Sequence, residues 1–209
     1  MTGLFVGIDV GAERLDCVAL TGRLQVHETV VFSADEIPRL AAWAGGASAV
    51  AIDAPARLST APHRADHSLS PKFALARCAE IALGRDYRIW VPWVTPMAEP
   101  VPGWMATGLA VHEVLRRPGL EPIEVFPYAA YRRLVPRARL PKKQTTEGVR
   151  VRVDALRRAG IDSESLLIWP HDALDALVAA LIAHDHDDGK AIAATCGHDG
   201  SVIWLPAER

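Results

Sequence analysis

Five acidic residues stand where acids are expensive. Asp9 closes the apolar run LFVGIDV (4–10), Asp53 closes ASAVAID (47–53), and Glu124 interrupts EPIEVFP (121–127). A carboxylate in or at the end of a buried strand is costly unless it is paired, hydrogen-bonded or bound to metal. Asp172 and Asp175 lie three residues apart in HDALDAL. On a helix they share one face, with Cβ atoms roughly 5–6 Å apart. Their charges repel, and a divalent cation would remove the repulsion while using both groups. Hard oxygen donors of this kind suit Mg²⁺ or Mn²⁺. Two such ions about 3.5–4 Å apart can activate a water and stabilise the leaving oxygen in phosphodiester hydrolysis. Asp9, Asp53, Asp172 and Asp175 are therefore the candidate metal ligands and catalytic residues, and Glu124 is a further catalytic candidate. Each has a plain alternative. Asp172 can cap its helix and Asp175 can favour the macrodipole. Asp9 and Asp53 can make turns, and Glu124 can pair with an arginine.

The basic residues suggest a partner for such a site. Lys142 and Lys143 follow Pro141 in an expected loop and are candidate substrate-binding groups for a scissile or flanking phosphate. The segment Arg132–Arg158 holds ten of the 23 basic residues against Glu147 and Asp154. Such a run makes either a patch for an anionic partner or a solvated helical face. Trp90, Trp93 and Trp104 can stack nucleobases or cover a core edge. Arg77 and Glu80, at i and i+3, read as an internal ion pair. His63 and His67 would bind a metal together only on a helix, which Pro62 and Ser68 disfavour.

The elements that must position these groups follow from apolar patterning. Strands are expected at 4–10, 14–22, 24–32 and 47–53, with a helix from about Asp35 to Ala44 started by Ser33 and Glu36. Residues 55–71 read as a loop, 72–83 and 104–115 as helices, and 88–103 as an irregular flap. A strand at 121–127 precedes Arg-rich helices over 128–168. Leu174, Leu177, Val178, Leu181 and Ile182 give His171 to about His186 a buried helical stripe. Strands 191–196 and 201–206 should close a hairpin through residues 197–200. The first three strands form an antiparallel meander, and strand 47–53 returns through a helix to lie parallel to strand 4–10. Strands 4–10, 47–53 and 121–127 are then expected at the centre of the sheet. This is one α/β domain over residues 1–209, a mixed sheet flanked by helices, with an insertion around 55–103.

Half of the chain is apolar, enough for one well-buried core, and the net charge is only −2. No run of about 18 or more uncharged apolar residues exists, so no membrane partner is expected. The start, MTGLFVGIDVG, reads as a strand rather than a secretion signal. Cys17, Cys78 and Cys196 are odd in number and widely spaced, so reduced thiols in a cytoplasmic protein are expected rather than a disulfide or zinc site.

Several segments together carry a family resemblance. They are GIDVG (7–11), IDAP (52–55), RCAE (77–80), GWM (103–105), IEVFPYAAY (123–131), LPKKQTTEG (140–148), HDALDALVAALIAH (171–184) and GSVIWLP (200–206). The chain resembles the domain-of-unknown-function family 429 (DUF429), described as predicted nucleases of ribonuclease H (RNase H) fold. The resemblance implies an RNase H-like fold and an acidic site of Asp9, Asp53 and the last helix. DALDAL is also similar to the final helix of bacterial Holliday-junction resolvases, where paired helical acids bind catalytic metal. That similarity implies Asp172 and Asp175 as ligands. Many relatives carry an acid where this chain has His171, which leaves the exact helical ligand open but not the Asp172/Asp175 pair.

The expected function is divalent-metal-dependent hydrolysis of phosphodiester bonds in nucleic acid, DNA or RNA. One alternative is a non-catalytic nucleic-acid- or protein-binding domain that kept the fold. Another is a sugar-kinase or actin-like ATPase, since GIDVG is similar to their first phosphate loop. A second glycine-rich phosphate loop is missing from the sequence. A two-fold homodimer would suit a branched substrate, although no segment specifies one.

Overall fold

The computed structural model describes residues 3–135, 139–161 and 164–209. Its centre is a five-stranded mixed sheet built from β1 (Leu4–Val10), β2 (Arg14–Thr21), β3 (Val26–Ser33), β4 (Ala49–Asp53) and β5 (Ile123–Glu124), in the order β3-β2-β1-β4-β5. β1, β2 and β3 form the expected antiparallel meander, and β4 and β5 run parallel to β1. The fold is α/β and consistent with an RNase H-like sheet. Between and after the strands come α1 (Ile37–Trp43), α2 (Cys78–Asp86), α3 (Gly103–Leu115), α4 (Pro127–Leu134), α5 (Thr146–Arg158) and α6 (His171–Asp187). A short hairpin of β6 (Ile192–Ala194) and β7 (Ile203–Leu205) closes the described chain. Among the described residues no helix is long and apolar enough to cross a membrane.

Strand alternation sorts the core into two faces. Val6, Ile8, Val10, Leu15, Cys17, Val50 and Ile52 pack towards α1 and α3. Phe5, Val18, Leu20, Ala49 and Ala51 pack under α6, whose Ala176, Ala179, Ala180 and Ala183 are fully buried. Small residues let this helix lie unusually close to β1. A Cβ on Gly7 would fall 2.0 Å from the Ala176 carbonyl and 2.2 Å from the Ala180 nitrogen. Only glycine permits that approach, and the approach places the start of α6 over the ends of β1 and β4.

Three expectations need correction. The 121–127 strand shrinks to two residues at the edge of the five-stranded sheet, because Pro127 already opens α4. The helix expected over 72–83 is a 3-10 turn at Pro71–Phe73 followed by α2. Arg77 stays extended between them as the N-cap, its N–H donating to Glu80. The thiols are not all reduced: Cys78 and Cys196, 118 residues apart, form a disulfide, and Cys17 is free and buried. The β6–β7 turn folds back onto the start of α2, a contact that cysteine spacing could not show.

Candidate active site

Asp9 is the last residue but one of β1, and its neighbours across the sheet are both acids. Asp16 on β2 and Asp53 on β4 are its direct register partners. Directly paired residues point to the same face, so three carboxylates stand in a row at the end of the face that α6 covers. Asp175 is buried in the first turns of α6, and Asp172 lies one helical step nearer solvent. Asp9, Asp172 and Asp175 each offer an oxygen, and these oxygens all lie within 4.8 Å of one another. Asp53 hydrogen-bonds to Asp9. The structure thus brings together all four acids singled out as metal ligands.

Their electrostatics are those of a site with too much negative charge. Burial, then the nearby Asp175, raises the Asp9 carboxyl from 3.8 to about 7. Burial also pushes Asp53 and Asp175 upward, helped by Asp9 and Asp175 at Asp53 and by Asp172 at Asp175. Lys143 relieves part of the repulsion. Its ammonium donates to Asp172 Oδ1 at 2.8 Å and Asp175 Oδ2 at 2.9 Å. Burial would raise Asp172, but Lys143 and the His171 ring, 2.6 Å away, hold it below the usual value.

Lys143 is seated by local backbone chemistry. Thr145 N-caps α5, its Oγ accepting from Gly148 N at 3.0 Å, and both Thr145 N and Oγ donate to the Lys142 carbonyl. A Cβ on Gly148 would lie 1.9 Å from that carbonyl oxygen, so the turn closes only around glycine. Tyr131 of α4 fastens the start of α6 by donating to the Leu174 carbonyl at 2.6 Å. Behind β4, His112 of α3 donates to the Ala54 carbonyl, and burial lowers its pKa to about 4, which keeps it neutral.

A cleft of about 450 Å³ opens over the acids. Asp9, Asp53 and Asp172 form its floor, and Trp93, Trp104 and Phe126 make an aromatic wall. The Trp93 ring meets Trp104 and Phe126 edge-on at 5.3 and 4.8 Å. A second opening of about 480 Å³ shares Asp53, Phe126 and Lys143 with the first and adds Trp90, Arg139 and Lys142. Lys142 and Arg139 are exposed there. The expected basic patch is otherwise divided: Arg133 holds the Pro206 carbonyl and Glu208, and Arg152 is buried on the Tyr131 ring. Arg137 lies outside the described residues.

Glu124 does not join the acidic group. Arg77 donates to both of its oxygens at 2.7 Å, and Ala56 N donates to one at 2.9 Å. It holds the turn after Asp53 from behind, as the arginine-pairing alternative anticipated, so it is corrected from catalytic candidate to positioning residue. His67 takes no part in a metal cluster with His63, which instead faces Cys196. Asp16 and Arg14 were missed. Arg14 is forked onto Asp16 at 2.7 Å and lines the cleft. The spacing Asp9–Asp16 across a tight GAER turn was the available signal, since such a hairpin sets the two acids opposite each other.

Residues 109–198 match the model of a family described as a protein of unknown function, DUF429. That match, over 90 of the 209 residues, supports the resemblance to DUF429. The match contains Glu124, Lys142, Lys143, Asp172 and Asp175 and begins after Asp9 and Asp53. No curated protein and no solved structure matches the chain.

Proposed function

We propose that this protein is a divalent-metal-dependent phosphodiesterase acting on nucleic acid. The observation that carries the proposal is the convergence of Asp9, Asp53, Asp172 and Asp175 on one cleft, with a single lysine to balance them. The donor set fits Mg²⁺ or Mn²⁺, because all of the converging groups are hard carboxylate oxygens. The Lys143 ammonium, 2.8 and 2.9 Å from Asp172 and Asp175, supports a cation position between them. Asp9, Asp172 and Asp175 would hold the metal, with Asp53 beside Asp9 as ligand to a second ion. When bound, the metal supplies Lewis acidity towards water and a phosphoryl oxygen.

The chain's own groups supply the rest. Lys143, at the edge of the acidic group, would supply positive charge to a non-bridging phosphate oxygen. Lys142 and Arg139 at the rim bind flanking phosphates, which makes affinity fall with salt. Trp93, Trp104 and Phe126 offer apolar surface on which bases stack, and they exclude water from one side of the cleft. Arg14, fixed by Asp16, presents positive charge opposite the lysine. In the cytoplasm, the location proposed here, the Cys78–Cys196 pair would meet reducing conditions.

The lysine bridge favours one second reading, a nucleic-acid-binding domain in which Lys143 permanently replaces the metal. The test is incubation of the full chain with Mg²⁺ or Mn²⁺ and labelled single-stranded, double-stranded, hybrid and branched nucleic acids, beside Asp9→Asn and Asp175→Asn. Metal-dependent cleavage that vanishes in both folded variants is expected. Binding without cleavage under any metal would transfer the site to the second reading.

A further inference from the structure

The Cys78–Cys196 disulfide has an imidazole beside it. His63, in the loop after β4, places Nε2 3.4 Å from Cys196 Sγ. One ligand atom from each of His63, Cys78 and Cys196 lies within 4.8 Å of the other two. Two residues beyond Cys196, the His198 ring stands 6.4 Å from the His63 ring, centroid to centroid. Two sulfurs and two imidazoles thus come from three segments distant in sequence. None of them lines the acidic cleft.

We propose that these four residues are a second metal site, which binds Zn²⁺ when the disulfide is reduced. Two thiolates and two imidazoles are a donor set for tetrahedral zinc, whereas the carboxylate cleft suits harder ions. With Zn–S near 2.3 Å and Zn–N near 2.0–2.1 Å, a tetrahedral site has N···S edges of about 3.5 Å and an S···S edge of about 3.8 Å. His63 already stands at that edge from Cys196. Only the sulfurs must separate and His198 close in, and both Cys196 and His198 lie at the β6–β7 turn.

The surrounding hydrogen bonds keep this geometry without help from the disulfide. Asp199 accepts from Cys78 N at 3.1 Å and from Ser201 N and Oγ at 2.8 and 2.7 Å. Ala79 N donates to Ser201 Oγ at 3.0 Å, and Thr195 Oγ1 donates to the Ser201 carbonyl. The turn that carries Cys196 and His198 is therefore tied to the start of α2 by polar contacts that survive reduction. The chemistry balances. A dithiol reductant passes two electrons and two protons to the disulfide and becomes a disulfide itself. Zn²⁺ then takes both sulfurs as thiolates and releases the two protons.

The test uses the full chain, reduced with a phosphine and freed of reductant, titrated with Co²⁺ as a spectroscopic stand-in for zinc. One equivalent of tetrahedral Co²⁺ with sulfur-to-metal charge-transfer absorption is expected, displaced by one equivalent of Zn²⁺ and unaffected by excess Mg²⁺. The oxidised protein should show none of it. Cys196→Ser should abolish the bands and Cys17→Ala should keep them. His63→Ala should weaken binding by more than the ~10-fold that losing a supporting hydrogen bond costs a metal site. The comparison of oxidised with reduced wild type needs no variant, so misfolded variants do not decide it. No charge-transfer band in the reduced wild type, folded or unfolded, or bands that persist in folded Cys196→Ser, would overturn the site.

Discussion

Two groups of acids meet near the paired ends of β4 and β5, where Ile52 faces Glu124 and Asp53 follows, and they have opposite fates. Behind the sheet edge, Glu80 and Glu124 share one guanidinium, Arg77, which donates to both, and Thr95 and Ala56 supply further hydrogen bonds to them. Arg77, Glu80 and Glu124 are 0 %, 0 % and 5 % exposed, so water contributes almost nothing there. At the strand ends, among the described residues, Asp9, Asp53, Asp172 and Asp175 share one lysine, Lys143, with Arg152 acting on Asp175 and Arg14 committed to Asp16. The first group is closed: one guanidinium and neutral N–H donors, buried with the two carboxylates, take up their oxygens. The second is open to a cleft; burial raises Asp9, Asp53 and Asp175, and neighbouring carboxylates add to the rise, while Lys143 and His171 hold Asp172 low. Buried carboxylates alone do not make a site; carboxylates short of positive charge and within reach of solvent do.

Breaking the closed group should have the largest effect. Arg77→Met leaves two carboxylates buried without their cation, and removing one partner of a buried pair costs about 3–5 kcal/mol. At ~2–4 °C per kcal/mol for a chain of this size, Tm should drop by ~6–20 °C. Asp175→Asn removes one of several repelling charges, and metal-free Tm should shift by no more than ~2 °C. Thermal unfolding of both variants checks the comparison. A larger loss in Asp175→Asn than in Arg77→Met would reverse it.

The open group also depends on how closely α6 lies over β1. Gly7→Ala puts a methyl against the α6 backbone at Ala176 and Ala180. Overpacking of this kind typically costs about 1–3 kcal/mol. Because the helix must lift where it carries Asp175, metal affinity should fall with stability. Urea unfolding with and without Mn²⁺ separates the two effects. Unchanged metal affinity in a destabilised Gly7→Ala protein would uncouple the helix position from the site.

The open group was more legible in the sequence than the closed one. Asp9 and Asp53 end local apolar runs, and Asp172 and Asp175 fall on one helical face; both signals span only a few residues. The meander and the parallel return followed from the same local patterns. Glu124 looked identical to them in pattern, an acid within an apolar strand. What separates it is Arg77, 47 residues earlier, and only the packing of α2 against β5 makes that pair. The disulfide was hidden for the same reason, and β5 was overestimated because Pro127 converts strand to helix sooner than apolarity suggests. Lys143 was readable as a cation for phosphate, but its seat between two aspartates depends on the Thr145–Gly148 turn and the tilt of α6, which no local pattern encodes.

Metal should separate the two groups next. An ion that binds only the folded state adds about 2.7 kcal/mol at a hundred times its Kd, a Tm rise of ~5–10 °C. The rise should appear with Mg²⁺ or Mn²⁺ in wild type and disappear in Asp175→Asn, while Glu124→Gln, though less stable, should keep it. A rise of equal size in Asp175→Asn would place the ion elsewhere.

The smallest effect is the most specific to charge crowding. Asp9 has its carboxyl at about 7 in the folded protein and near 3.8 in the unfolded chain. Between those values the folded state keeps a proton that the unfolded state has released, so stability contributed by this group is full below about pH 4 and lost as pH rises through about 7. Asp53 and Asp175 are shifted the same way. Without metal, Tm should therefore decline from pH 5 to pH 8, by ~2–4 °C for each kcal/mol lost. A bound divalent ion does the work of the missing protons, so in saturating Mg²⁺ the decline should flatten or reverse. Calorimetric melts across that range, with and without Mg²⁺, give both slopes. Equal slopes would mean that the acids titrate independently of any metal, and the open group would then be as inert as the closed one.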